Sequence, residues 1–344
     1  MFKILVVVFC SCMVNINCQP SLSTDNQALR QKYSGESSVV SDRSEGSKPW
    51  RRILSADESF SSISFNGDLL GVVTGTDERF WVTSDGGVSW SERTIRGKAL
   101  ARLGGAYSLV KAKITSSGNL YVLGHLEEVG SAIFTSVDGG NAFTVTYYPD
   151  ASLNEIDSIE DQTWVVGTIK SVPVVLHSKG QGKWTEIWKG LGQHYLSDVD
   201  FIDAHTGWSV GAKGLILHTG NGGDNWEIQQ TSSDMNLESV GFADANSGYV
   251  AGQMGTIFHT ADGGNTWKWQ DSGTQATLTD VLAINSNEAW VVGQKGTVMH
   301  TDDGGQHWQK LSIGTSADIY AITIKRGEIW VATADGIIFK SSSR

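Results

Sequence analysis

The sequence GTIFHTADGGNTW at residues 255–267 recurs as GLILHTGNGGDNW at 214–226 and as GTVMHTDDGGQHW at 296–308, so equivalent letters stand 41 residues apart. Weaker copies lie further out: TSDGGVSW at 83–90, SVDGGNAF at 136–143 and SKGQGKW at 178–184. A period near forty residues means stacked supersecondary units, which constrains the fold more tightly than any single residue. Within each copy the β-branched and aromatic letters suit a strand. The following D-G-G is turn chemistry, with Gly supplying φ > 0 and Asp bonding the local backbone. An aromatic residue then opens the next strand. Two further short strands precede each copy, as in 278–284 (LTDVLAI) and 288–293 (EAWVVG), or 196–202 and 207–211. Four strands per period, no helical periodicity, 40 Gly and 4 Pro predict all-β blades, that is, a β-propeller.

Counting the aromatic positions gives seven: Trp50, Trp90, Phe143, Trp184, Trp226, Trp267 and Trp308. Counting the hairpin strands that should precede them also gives seven, the last ending near Ser341. Trp50 has no hairpin before it and the last hairpin strand, DGIIFKSSS, has no aromatic strand after it, so the two are expected to pair. The prediction is a seven-bladed propeller of four-stranded antiparallel blades over 49–344, closed by an N-terminal strand that removes the open edge. The 53-residue spacing from Trp90 to Phe143 puts an insertion in blade 2, within 91–107 and 125–130.

The repeated turn Ser/Thr-x-Asp-x-Gly-x-x-Trp resembles the Asp-box, a structural turn on blade peripheries. Asp85, Asp138, Asp262 and Asp303 are its acids, and Trp90, Trp226, Trp267 and Trp308 its aromatics. Asn221 and Gly180 stand in for Asp in two copies, as a turn tolerates and a catalytic acid would not. The combination LxDVxFxDxxxGWxVGxxGTIxHTxDGGxTW, seen in 196–308, resembles the photosystem II stability/assembly factor family of seven-bladed propellers. That resemblance implies a lumenal, non-enzymatic chaperone that binds a reaction-centre subunit and pigments, and an arginine-rich patch on one face. Here no Arg occurs between Arg102 and Arg326.

Residues 1–18 carry one Lys and a short apolar run, the pattern of a secretory signal peptide and too short for a membrane span. The expected product is secreted, with periplasm, thylakoid lumen or a lipid anchor at Cys18 as alternatives. All three Cys fall in this segment, so the folded part is expected to hold together without disulfides. Residues 19–48 are too poor in large apolar residues to offset ordering entropy and read as a flexible leader. The formal charge of −11 argues against nucleic acid as a partner.

Sialidases resemble one another in holding the substrate carboxylate with three Arg from different blades, and blades 3 to 6 contain none. Another Asp-box glycoside hydrolase would need two opposed carboxylates. Asp198, Asp280 and Asp318 begin the inner strands of blades 4, 6 and 7, with Ser239 at that place in blade 5, so repeat structure explains them. His177, His218, His259 and His300 each occupy the same strand of a different blade and cannot converge on one metal. The expectation is therefore a monomer with no cofactor, metal or catalytic residue that binds a protein or an extracellular polymer, the alternatives being a glycoside hydrolase or carbohydrate-binding propeller and a matrix protein. Insertions in a repeat array usually map to the binding face. This places the partner on the loops opposite the Asp-boxes in blades 2 to 4, at Arg93, Arg96, Arg102, His125, His194 and Tyr195.

Overall fold

A computed structural model describes residues 50–95, 107–126, 130–180, 182–191 and 194–342. The signal segment and leader lie outside these residues. Among them, seven four-stranded antiparallel sheets stand as the blades of a propeller. In blades 1 to 6 the strands run in sequence order from the inner strand at the axis to the outer strand at the rim. Blade 7 takes its inner three strands from the C-terminal end (Ile319–Lys325, Glu328–Thr333, Ile337–Ser341) and its outer strand, Trp50–Ser55, from the N-terminal end. Trp50 faces Ser341 and Ser55 faces Ile337 across that joint. The expected closure is the observed one, because an unclosed ring would leave an unpaired edge at both ends.

The second strand of each blade, buried on both faces, reads as a continuous apolar run; Val165, Val166, Val291 and Val292 are fully buried. Burial is organised between blades more than within them. Trp208 of blade 4 stacks on Phe242 of blade 5 with ring centroids 3.4 Å apart, and Trp164 of blade 3 stacks on Phe201 of blade 4 at 3.7 Å. The four His of the third strands each lie against an aromatic of their own blade: His177 on Trp164, His218 on Trp208, His259 on Tyr249 and His300 on Trp290.

The Asp-box turns form as the sequence indicates. Thr260 Oγ1 accepts the amide N–H groups of Asp262 and Gly264 at 3.2 and 2.8 Å, and Asp262 Oδ1 accepts the Thr266 N–H at 2.8 Å. Asn221 makes the same bonds, taking the Thr219 hydroxyl at 3.0 Å and the Asn225 N–H at 2.9 Å. The residue three places after the box aromatic then latches the next blade. Gln229 Nε2 donates to Gly263 O at 2.9 Å and Gln270 Nε2 to Gly304 O at 2.7 Å. Gly264 has a left-handed backbone (φ +87°) that strains any other residue, and a Cβ there would also push the Gln229 amide out of its latch.

Candidate site: the channel and its mouth

Every inner strand carries the same irregularity. Pairing between the first and second strands slips by one residue near the start of the inner strand, at Phe60/Ser62, Leu109/Lys111, Leu153/Glu155, Leu196/Asp198, Leu237/Ser239, Leu278/Asp280 and Ile319/Ala321. A β-bulge inserts one unpaired residue and bends its strand. The seven bulge residues are Ser61, Val110, Asn154, Ser197, Glu238, Thr279 and Tyr320. Four of them reach the next blade, donating to the carbonyl just before its bulge: Ser61 to Leu109 O, Asn154 to Leu196 O, Ser197 to Leu237 O and Thr279 to Ile319 O, at 3.1, 2.6, 2.8 and 2.5 Å. Val110 cannot make that bond. Glu238 accepts from Gln253 Nε2 within its own blade, at 3.1 Å, and Tyr320 is partly exposed at the mouth.

These bulges surround the entrance to the axial channel. A funnel of about 680 Å3 opens there, and Tyr195, Glu238, Gln253, Gln294 and Tyr320 are among its walls. Burial pushes the Glu238 carboxyl up, against the lowering effect of Gln253, and Tyr195 is likewise raised by burial and by the charge of Glu238. A second cleft of about 620 Å3 adjoins it, shared by His194, Tyr195, Asn154, Ser152, Thr168 and Ser171.

Below the mouth the channel narrows to about 220 Å3 and is lined by two tiers of side chains from the inner strands. The first is Ser62, Lys111, Glu155, Asp198, Asp280 and Ala321, with Ser239 of blade 5 at the equivalent place on the mouth side; the second is Ser64, Lys113, Asp157, Asp200, Gly241, Leu282 and Thr323. Lys111 pairs with Glu155 at 2.6 Å and Lys113 with Asp157 at 3.0 Å. Burial opposes the charge on both lysines, but the surrounding carboxylates outweigh it and keep them cationic. Most of the polar residues bridge blades: the Val240 N–H donates to Asp198 Oδ2, Phe242 N–H to Asp200 Oδ2, Phe201 N–H to Asp157 Oδ2 and Ile322 N–H to Asp280 Oδ2, all at 2.7–2.8 Å. Ser62 and Ser239 accept the equivalent amides of Ala112 and Val281. Asp318 does not share this position, contrary to the alignment made from sequence: the 41-residue period that relates Asp198, Ser239 and Asp280 leads to Ala321, three residues further on, and Asp318 instead accepts the Lys295 N–H at 2.8 Å. The carboxylates are thus backbone braces, the structural reading that their repetition suggested.

The residues expected to bind a partner divide. Tyr195 lines the mouth, and His194 borders the adjoining cleft. His125 spans two blades, its Nε2 lying 2.7 Å from Leu153 O. Arg93 is drawn to the Asp-box of blade 2, where its guanidinium donates to Gly139 O and Asn141 Oδ1 at 2.9 and 2.7 Å. It stands three residues after Trp90, at the same repeat position as Gln229 and Gln270, and makes the same latch. That equivalence was available in the sequence, once the position is counted from the box aromatic. Arg96, Arg102 and most of the blade-2 insertion lie outside the described residues. Sequence reasoning did not single out Glu238 or Tyr320, since bulges leave no local signature.

Residues 184–272 and 265–344 match the family model "Photosynthesis system II assembly factor YCF48". No curated protein matches the chain significantly in sequence. Among solved structures it superposes on YCF48 from Cyanidioschyzon merolae with a TM-score of 0.67 at 17% identity, covering 86% of this chain and 98% of that one. A second, titled "YCF48 bound to D1 peptide", gives 0.68 at 17% identity with 87% and 96% covered. Virginiamycin B lyase from Staphylococcus aureus, an enzyme, gives 0.68 at 13% identity, covering 85% and 98%. At such identities superposition shows the fold alone. In sequence over residues 184–344 and in fold over the described residues, the chain is similar to the photosystem II assembly-factor family of seven-bladed, Asp-box-repeat propellers.

Proposed function

We propose that this chain is an exported, non-enzymatic propeller that binds a protein partner at the channel mouth, in the manner of an assembly factor. The observation that carries this reading is the break in the bulge pattern. Where the ring needs only a blade-to-blade bond, a Ser, Thr or Asn supplies it; at two of the three departures the chain presents Glu238 and Tyr320 to the funnel, with Tyr195 beside them. A repeat position freed from its structural task, on a rigid scaffold and at a concave opening, is where recognition groups are placed. Tyr is also among the residues that most often anchor interfaces. The match to the YCF48 model and the likeness to a relative solved with a peptide support a protein partner over a sugar. Arg96 and Arg102, which lie outside the described residues, enter the test as the candidates the sequence offers. The test is capture from the native compartment by the wild type, by Tyr195→Ala with Tyr320→Ala, and by Arg96→Glu with Arg102→Glu. Loss of one specific protein partner by folded variants supports the reading; undiminished capture by both variants overturns the assigned surface.

A further inference from the structure

Five carboxylates and two ammonium groups face the closed part of the channel, and the two lysines are each engaged, Lys111 with Glu155 and Lys113 with Asp157. The inner strands of blades 1, 5 and 7 contribute no charge to either tier: their channel residues are Ser62 and Ser64, Ser239 and Gly241, Ala321 and Thr323. Among the described residues Asp198, Asp200 and Asp280 make no salt-bridge contact of their own; Lys111 and Lys113 still attract them, but they are crowded in a narrow space where like charges repel and solvation is poor. Each nonetheless keeps an obligatory task, accepting an amide N–H of the next blade.

We propose that the channel is a proton-titrated brace, in which mild acid neutralises the carboxyls that lack a salt bridge, Asp200 among them, and tightens the ring by relieving their repulsion without releasing the amides they hold. The chemistry permits both effects at once. A protonated carboxyl still has a carbonyl oxygen able to accept the same N–H, so the blade-to-blade bond survives. What disappears is the cost of holding a desolvated charge next to others. Burial and then the neighbouring Asp157 raise Asp200 to about 7, while Asp198 and Asp280 are also raised, chiefly by burial.

The sign follows from linkage. Asp200 ordinarily titrates near 3.8, and a folded value near 7 means the native ring binds more protons than the unfolded chain between the two. Stability is then highest at the acid end of that window and falls as pH rises through it. Each unit of difference is tenfold in the folded-to-unfolded ratio, so even after channel water has screened much of the effect, about tenfold or more remains. This device is independent of what the mouth binds.

The experiment is urea unfolding of the full chain at pH 5.0 and pH 7.5, for the wild type and for Asp200→Asn. Asn retains the oxygen that accepts the Phe242 N–H but cannot ionise, so it mimics the protonated state. The expected result is a wild-type folded-to-unfolded ratio at least about tenfold lower at pH 7.5 than at pH 5.0, and a variant in which that ratio changes much less. A variant with the same pH dependence as the wild type would overturn the proposal. Should Asp200→Asn not fold, potentiometric measurement of proton uptake during wild-type refolding at pH 5.5 decides: uptake supports the brace, and no uptake or net release refutes it.

Discussion

Removing residues 1–55 would test the closure of the ring. The lost strand carries Trp50 and Leu54, 7% and 4% exposed. Trp50 meets Trp290 of blade 6 edge-on at 6.2 Å and belongs to the cluster that contains Val292, Ile319 and Phe339. Leu54 packs in the cluster of Phe60, Trp81 and Trp330, on the blade 1 side. One strand therefore stitches blade 7 to both neighbours. Truncating a buried Trp to Ala costs about 3–5 kcal/mol and a buried Leu about 2–5 kcal/mol, so these two side chains together account for roughly 5–10 kcal/mol. A native domain has about 5–15 kcal/mol in total, so a chain beginning at Ala56 should be unfolded or barely folded at 25 °C. Trp50→Ala alone, at about 3–5 kcal/mol, should lower the urea midpoint while leaving the slope close to that of the wild type. A peptide of residues 49–55 added to the truncated chain should restore stability by strand addition. An unchanged urea midpoint after removal of residues 1–55 would refute the closure argument, whatever the peptide does.

The remaining expectations concern the turns, the latches and pH. Trp90→Ala, at a fully buried box position, should cost about 3–5 kcal/mol. Trp267→Ala should cost less in the same melts because Trp267 is only half-buried, and equal losses would show that exposure does not set the penalty. Asp262→Asn should be mild, since Asn221 already serves, whereas Asp262→Ala should lose the turn bonds at about 1–2 kcal/mol; the comparison of their urea midpoints checks it. Gln229→Ala should free Gly263 O and cost about 1 kcal/mol, read as a lower midpoint with unchanged secondary structure. Below pH 4 a separate loss should set in. The His307 side chain and then its amide hold Asp303 down at about 2, and Asp85 and Asp138 are also lowered because their turn hydrogen bonds outweigh burial. Carboxyls depressed in the fold stabilise above their ordinary range and stop doing so as pH falls through the folded values. Together with the channel this predicts a stability maximum near pH 5, to be located by thermal melts from pH 3 to 8; a maximum at or above pH 7 would contradict it.

Much of this architecture is written locally. The 41-residue period, the Thr-x-Asp-x-Gly-x-x-Trp turns and the unmatched Trp50 and Ser341 determine the blade count, the strand order and the closing joint, because each follows from chemistry within a dozen residues or from counting repeats. Asn221 in place of Asp, and His259 beside Tyr249, were legible as structural for the same reason. The site was not. Arg93 reads as a surface cation until the next blade's turn is brought against it, and Glu238 and Tyr320 read as ordinary strand residues until a bulge leaves them out of the pairing. A bulge reverses which neighbours point inward, and nothing in the letters of 319–321 announces it. The same holds for the channel: Asp198, Asp200 and Asp280 become crowded and braced only when strands more than 40 residues apart share one axis. The proposed titration of the channel and the proposed roles of Glu238 and Tyr320 at the mouth therefore rest on the ring, since desolvation, repulsion and concavity depend on distances that the chain acquires only by closing.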